Sequence, residues 1–148
     1  WKITNQNIYE GLSNAAKLTG LMGRWQIIGN NPLIICDTGH NQDGIKMVVN
    51  QIKNTAHKTL HFVFGVVADK NQDAILQLLP KDAVYYFTKA NIPRALNEKE
   101  LAQKAAQFGL TGASYPSAIE AFNTAKLNAG KNDLIFVGGS TFVVAEIL

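Results

Sequence analysis

Cysteine is nearly absent: one residue, Cys36, stands in 148. No internal disulfide can form, and the apolar run around Cys36 marks it as a core residue. No apolar stretch approaches the roughly 20 residues needed to cross a bilayer, so no membrane partner is expected. The N-terminus lacks a basic region followed by an apolar segment, and nothing there reads as a signal peptide. These features agree with a cytoplasmic protein. Basic residues are not clustered either: 14 Lys and Arg stand against 11 Asp and Glu for a net charge of +3. Without runs of Lys and Arg or interleaved aromatics, nucleic-acid binding is not indicated. His40, His57 and His61 are scattered and form no metal cluster with the lone cysteine. The G-x-x-x-x-G-K-[ST] phosphate loop, the G-x-G-x-x-G fingerprint and the G-x-S-x-G elbow are all missing.

What is present is alternation. A chain of this length supports one domain and one core. A helix is expected over about 7–18, ended by Thr19-Gly20-Leu21-Met22-Gly23, and a strand over 24–29. Leu33–Asp37 is a continuous apolar run ending in an acid, the mark of a strand buried on both faces. Gln42–Ile52 carries Ile45, Val48, Val49 and Ile52 on one helical face. Further elements are expected as strands at 60–67, 83–87, 113–115 and 133–137. Helices are expected at 73–79, from Asn97 to about 108, from Ser117, and over 140–148. Asn97 with Glu100, and Ser117 with Glu120, have capping-box spacing. From Leu33 onward strand and helix alternate almost strictly. The fold class is therefore α/β, a Rossmann-like, doubly wound and mostly parallel sheet flanked by helices. Residues 1–23 read as a linker or arm, and 24–148 as the domain proper.

In such sheets ligands collect at the carboxyl ends of the strands. Three of those ends are unusually polar. At Asp37-Thr38-Gly39-His40-Asn41 a carboxylate can accept both hydroxyls of a ribose, while His40 and Asn41 open a helix whose N-terminus favours anions. The same residues read equally as a helix cap and a packed histidine. Asp69-Lys70 in Ala68-Asp69-Lys70-Asn71 pairs opposite charges, which suits a zwitterionic amino acid; a solvated turn is the simpler account. At Gly138-Gly139-Ser140 two glycines allow close backbone approach, and Ser140 can donate to a carboxylate, although serine is also an ordinary cap. Arg24 stands one strand earlier. It either reaches phosphates with bidentate geometry or stacks on Trp25 at the surface.

Taken in order, Gly23-Arg24-Trp25-Gln26, Asp37-Thr38-Gly39-His40-Asn41, Phe64-Gly65-Val66-Val67-Ala68-Asp69-Lys70, Ile92-Pro93-Arg94-Ala95 and Gly138-Gly139-Ser140 resemble one family. They are similar to the C-terminal domain of the folylpolyglutamate synthase/dihydrofolate synthase family, within the Mur ligase superfamily of ATP-dependent acid–amino acid ligases. One departure is Gln42, where the family usually has proline in the first helical turn. The resemblance implies a half-enzyme, inactive without an N-terminal P-loop ATPase domain that holds most contacts to ATP and Mg2+. It implies ATP binding by Arg24, Asp37, His40 and Asn41, and glutamate binding by Asp69, Lys70 and Ser140. His40 and Lys70 would be catalytic, Arg94 would be a cleft residue, and no metal ligand is expected on this chain. Substrates would be ATP, dihydropteroate or a folate, and L-glutamate, joined through an acyl phosphate. The competing expectation is a free-standing Rossmann-like binding or regulatory module. The absence of an initiating methionine argues for the half-enzyme.

Overall fold

The computed structural model describes residues 1–68 and 71–148. Six strands, β1 (Gln26–Asn30), β2 (Leu33–Cys36), β3 (Leu60–Phe64), β4 (Val84–Thr88), β5 (Gly112–Tyr115) and β6 (Leu134–Gly138), form one sheet in the order β1-β2-β6-β3-β4-β5. Only the β1–β2 pair is antiparallel; the other neighbours run parallel. The expected mostly parallel α/β sheet is therefore what forms.

The apolar runs explain the order. All five residues of β3 and all five of β6 are buried, as central strands covered on both faces must be. The edge strands β1 and β5 have no buried residue. Successive side chains point to opposite faces, so β2 divides its residues between two cores. Ile35 joins Phe62, Phe64, Tyr85, Phe87 and Phe136 on the face covered by α3 (Gln42–Lys53), α4 (Gln72–Leu76) and α5 (Glu98–Gln107). Ile34 and Cys36 join Val63, Tyr86, Ile135 and Val137 on the other face, under α6 (Ala118–Asn128) and α7 (Thr141–Ala145). On the first face Phe62 meets Phe136 edge-on at 4.9 Å and stacks on Tyr85 at 5.5 Å between ring centroids. Burying each such ring stabilises the fold by about 2–3 kcal/mol before entropy is counted. Burial, followed by the neighbouring Asp37 charge, pushes the Cys36 thiol up to about 12. The residue is an inert part of the core, as its setting in the sequence implies.

Several expected boundaries shift for local reasons. The single helix foreseen over 7–18 is two, α1 (Asn5–Ser13) and α2 (Ala15–Thr19). Asn14 interrupts it, its side-chain amide donating to the Glu10 carbonyl at 2.9 Å and competing with the helical ladder. Neither helix has a buried residue. The strand expected over 60–67 ends at Phe64. At Gly65 a Cβ would stand 2.5 Å from the Thr88 carbonyl oxygen, so only glycine lets the chain pass there. Val67 then pairs with Ala95 in an isolated antiparallel bridge. The helices α4 and α7 are five residues each, shorter than the spacing suggests. No described helix is long and apolar enough to cross a membrane.

Candidate active site at the carboxyl edge of the sheet

β2 and β6 are neighbours in register, Cys36 beside Val137, so the residues following them leave the sheet together. The Asp37 amide donates to the Val137 carbonyl at 3.1 Å, which carries the pairing one residue further. Asp37 and Ser140 therefore share one rim. Lys70 and Asp69 lie outside the described residues.

Asp37 is 9% exposed, and both its oxygens are engaged. Oδ1 accepts from the Gly39 amide and Oδ2 from the Trp25 amide, each at 2.7 Å. Its side chain does not cap α3, as one account of the motif supposed. Asn41 does that, its Oδ1 accepting from the Gly44 amide at 2.8 Å. Asp37 instead holds the turn that carries Arg24. The Thr38 amide donates to the Gly23 carbonyl at 2.8 Å, and the Arg24 guanidinium donates to the Thr38 hydroxyl at 2.5 Å. Arg24 thus sits in the turn before β1, not within a strand, and is exposed at the rim. Trp25 turns its ring towards Phe136, 6.0 Å between centroids, and adopts a positive φ of 45°.

His40, Val67, Arg94, Gly139, Ser140, Thr141 and Phe142 line a cleft of about 380 Å3 on this rim. The His40 Nδ1–H donates to the Thr38 carbonyl at 2.9 Å. Because a carbonyl only accepts, Nδ1 carries the proton of that bond, which fixes the orientation of the ring. Ser140 is 4% exposed and caps α7, its Oγ accepting from the Phe142 amide at 3.2 Å while its hydroxyl proton can donate. The Arg94 guanidinium lies 5.0 Å from the Phe142 ring centroid. The close approach allowed by the glycines is made to protein, not to open space. Gly139 has φ 91°, and a Cβ there would meet the Phe64 ring and come within 2.7 Å of the Gly65 carbonyl oxygen. This packing seats β6 against β3 and aims the Ser140 turn at the rim.

The structure thus gathers His40, Ser140 and Arg94 around one cleft and joins Arg24 to Asp37 along its edge. Asn41 is exposed and does not line the cleft. A roomier groove of about 650 Å3 beside the ends of β4 and β5 contains none of Arg24, Asp37, His40, Asn41 or Ser140. Two participants escaped the sequence reading. Phe142 was unremarkable as one apolar residue in a short helix, and Thr38 lay inside a singled-out motif without a role. Among the described residues no group of three or more His, Cys, Asp and Glu could hold a metal ion.

A mostly parallel sheet whose strand ends at the β2–β6–β3 junction carry donors around a cleft defines a Rossmann-like ligand-binding domain. Comparison with known proteins sharpens this. Residues 23–141 match the family described as Mur ligase, glutamate ligase domain, and the chain belongs to that family. It is 28% identical over 149 residues to a folylpolyglutamate synthase of Lacticaseibacillus casei, covering 99% of this chain and 32% of that protein. It is also 28% identical over 145 residues to a probable bifunctional folylpolyglutamate synthase/dihydropteroate synthase of Haloferax volcanii, covering 97% of this chain and 17% of that protein. The chain therefore spans a third or less of those relatives. In fold it is similar to a bifunctional folylpolyglutamate synthase/dihydrofolate synthase solved with Mn, AMPPNP and L-glutamate bound. The TM-score is 0.86 at 24% identity, covering 99% of this chain and 34% of that one.

Proposed function

We propose that this chain is the C-terminal domain of a cytoplasmic ATP-dependent ligase that adds L-glutamate to dihydropteroate or a folate, inactive without an N-terminal P-loop ATPase domain of the same polypeptide. Residues 1–23 serve as the connecting arm and 24–148 as the glutamate ligase domain. The observation that carries the reading is the shared rim after β2 and β6, where Asp37 holds the Arg24 turn beside the cleft of His40 and Ser140. The family match and the names of the relatives support it.

The reaction asks the site for three things. A carboxylate oxygen of the folate or pteroate attacks the γ-phosphorus of ATP, and ADP leaves with the electrons of the broken P–O bond. The glutamate amine then attacks the acyl carbon, losing a proton as inorganic phosphate departs. Negative charge builds in both steps, water must be kept from the acyl phosphate, and the amine must be aligned. Arg24 supplies a cation for the ATP phosphates. Asp37 holds that turn and keeps lone pairs for the ribose hydroxyls, since a carboxylate can accept about four bonds. His40 and Asn41 face the nucleotide or the reacting centre. Asp69, Lys70 and Ser140 bind glutamate, Lys70 with His40 acting in catalysis, and Arg94 lines the same cleft. We assign magnesium no ligand on this chain; with most of the ATP contacts it belongs to the N-terminal domain. Closing one domain on the other excludes water and brings amine to acyl group.

The test has two arms. The 148-residue chain, given ATP, magnesium, folate and glutamate, is expected to release no ADP and form no amide, whereas the longer polypeptide does both. Ligation by the chain alone overturns the half-enzyme reading. In the longer polypeptide Asp37→Ala should raise the KM for ATP roughly tenfold, the loss of one charge-assisted contact. An unchanged KM for ATP removes Asp37 from the nucleotide site.

A further inference from the structure

The cleft has one wall that nothing in the strand-end motifs explains. Val67, which lines it, lies beyond the end of β3, where no ladder continues. The segment 66–68 is instead paired with 94–96. The Ala68 amide donates to the Arg94 carbonyl at 2.9 Å and the Leu96 amide to the Val66 carbonyl at 3.0 Å. Two short loops, one carrying Val67 and the other Arg94, thus form a miniature two-stranded wall outside the sheet. A ribbon of this size is not stable by itself.

Its support is a side chain. Gln72, the first residue of α4, is 7% exposed. Its amide nitrogen donates to the Ala68 carbonyl at 2.9 Å and approaches the Val67 carbonyl at 3.4 Å. Its Oε1 accepts from the Lys104 ammonium of α5 at 2.8 Å. Lys104 is in turn anchored by Glu100, one helical turn earlier, at 3.7 Å. A glutamine can satisfy both partners at once because one end only donates and the other only accepts. The chain of contacts runs from α5 through Gln72 to the wall, and from there through the main chain to Arg94.

We propose that Gln72, held by Lys104, is a positioning residue that fixes the Val67–Arg94 wall of the cleft. Gln72 touches no substrate. It sets where the Arg94 guanidinium stands relative to Ser140 and His40, and so how well the cleft receives the incoming amino acid. The functional half of this statement rests on the ligase reading above; the structural half does not.

The experiment separates the two. In the full-length protein, Gln72→Leu keeps the shape and removes both the donor and the acceptor, Lys104→Met removes only the ammonium, and Lys104→Arg restores a donor. Hydrogen exchange followed on peptides spanning 64–68 and 93–97 reads the wall directly. Exchange there should quicken about tenfold in Gln72→Leu, by a smaller factor in Lys104→Met, and stay at the wild-type rate in Lys104→Arg. Peptides from β3 and β6 should be unchanged, which distinguishes a loosened wall from a failing fold. In steady-state assays the same ranking should appear in the KM for glutamate, with kcat and the KM for ATP within about twofold of wild type. Unchanged exchange at the wall overturns the proposal whatever the enzyme does. Quickened exchange with an unmoved KM for glutamate also overturns it. If the wild-type protein ligates no glutamate, the ligase reading falls while the exchange result still judges the wall.

Discussion

The two ends of the sheet carry similar residues and do opposite things with them. At the amino end, where β3, β4 and β6 begin, His61 is 5% exposed and bound on both ring nitrogens. Its Nδ1 accepts from the Tyr86 hydroxyl at 2.9 Å, and its Nε2 lies 3.4 Å from Asp133 Oδ2. Asn128 donates to the Tyr86 oxygen at 3.2 Å, while Asp133 accepts from the Thr59 amide at 3.1 Å and the Gly130 amide at 2.7 Å. With the His61 proton on Nε2, the ring donates to Asp133 and accepts from Tyr86, so both of its nitrogens are used within the fold. At the carboxyl end an aspartate, a histidine and a serine are also bonded to the backbone, yet His40 and Ser140 border a cleft. Hydrogen bonding alone does not mark a site. What separates the two ends is whether the polar groups border open space.

Substitutions should sharpen that contrast. The largest effect is expected for Gly139→Val at the carboxyl end. It combines a strained positive φ with a side chain driven into Phe64 and the Gly65 carbonyl, costing roughly 3 kcal/mol or more of stability. Urea denaturation measures it, and a wild-type midpoint would show that the packing is not as described. Next comes His61→Leu at the amino end, which leaves the Tyr86 hydroxyl short of its acceptor in a buried place. About 2 kcal/mol should be lost with no change in substrate affinity once the protein is folded. A selective rise in a KM would place His61 in the machinery and erase the distinction between the two ends.

Asn41→Ala deletes the α3 cap and should cost about 1 kcal/mol by thermal unfolding. If the loss falls instead on ATP affinity, Asn41 acts on the nucleotide and its capping is secondary. The smallest effect is a pH dependence at the amino end. The Gly130 amide foremost, against the opposing effect of burial and with help from His61 and Thr59, holds the Asp133 carboxyl below its ordinary value. A lowered folded-state value contributes stability that is full above the unfolded value of about 4 and is lost as pH falls through the folded one. The stability gap between wild type and Asp133→Asn should therefore narrow in acid below about pH 4 and stay constant near neutrality. A gap that is constant throughout removes Asp133 from the acid response.

Much of this architecture was legible before any coordinates. The stretches 33–37, 60–67 and 133–137, expected as strands, contain β2, β3 and β6, and the first reads as covered on both faces because it is apolar without alternation. Ile45, Val48, Val49 and Ile52 declare the buried face of α3, and all four are buried. Asn97 and Ser117 were visible as caps and serve as caps. Less legible were places where a side chain answers to a distant partner. Nothing local says that Asp37 reaches back to Trp25 rather than forward to α3, that Gly65 must slip past Thr88, or that Gln72 bridges two loops and a neighbouring helix.

The linear order of residues determined the strands, the helices, their alternation and the membership of a family whose motifs recur in sequence. Those properties follow from short-range periodicity, capping and burial pattern, each contained within a dozen residues. Tertiary structure alone decided that β6, the last strand, inserts between β2 and β3 and so brings Ser140 beside the loop of Asp37. It also decided which polar groups are consumed by the fold and which remain turned toward a cleft. Both depend on contacts between residues a hundred positions apart, and only the closing of the sheet brings such residues within a few ångströms.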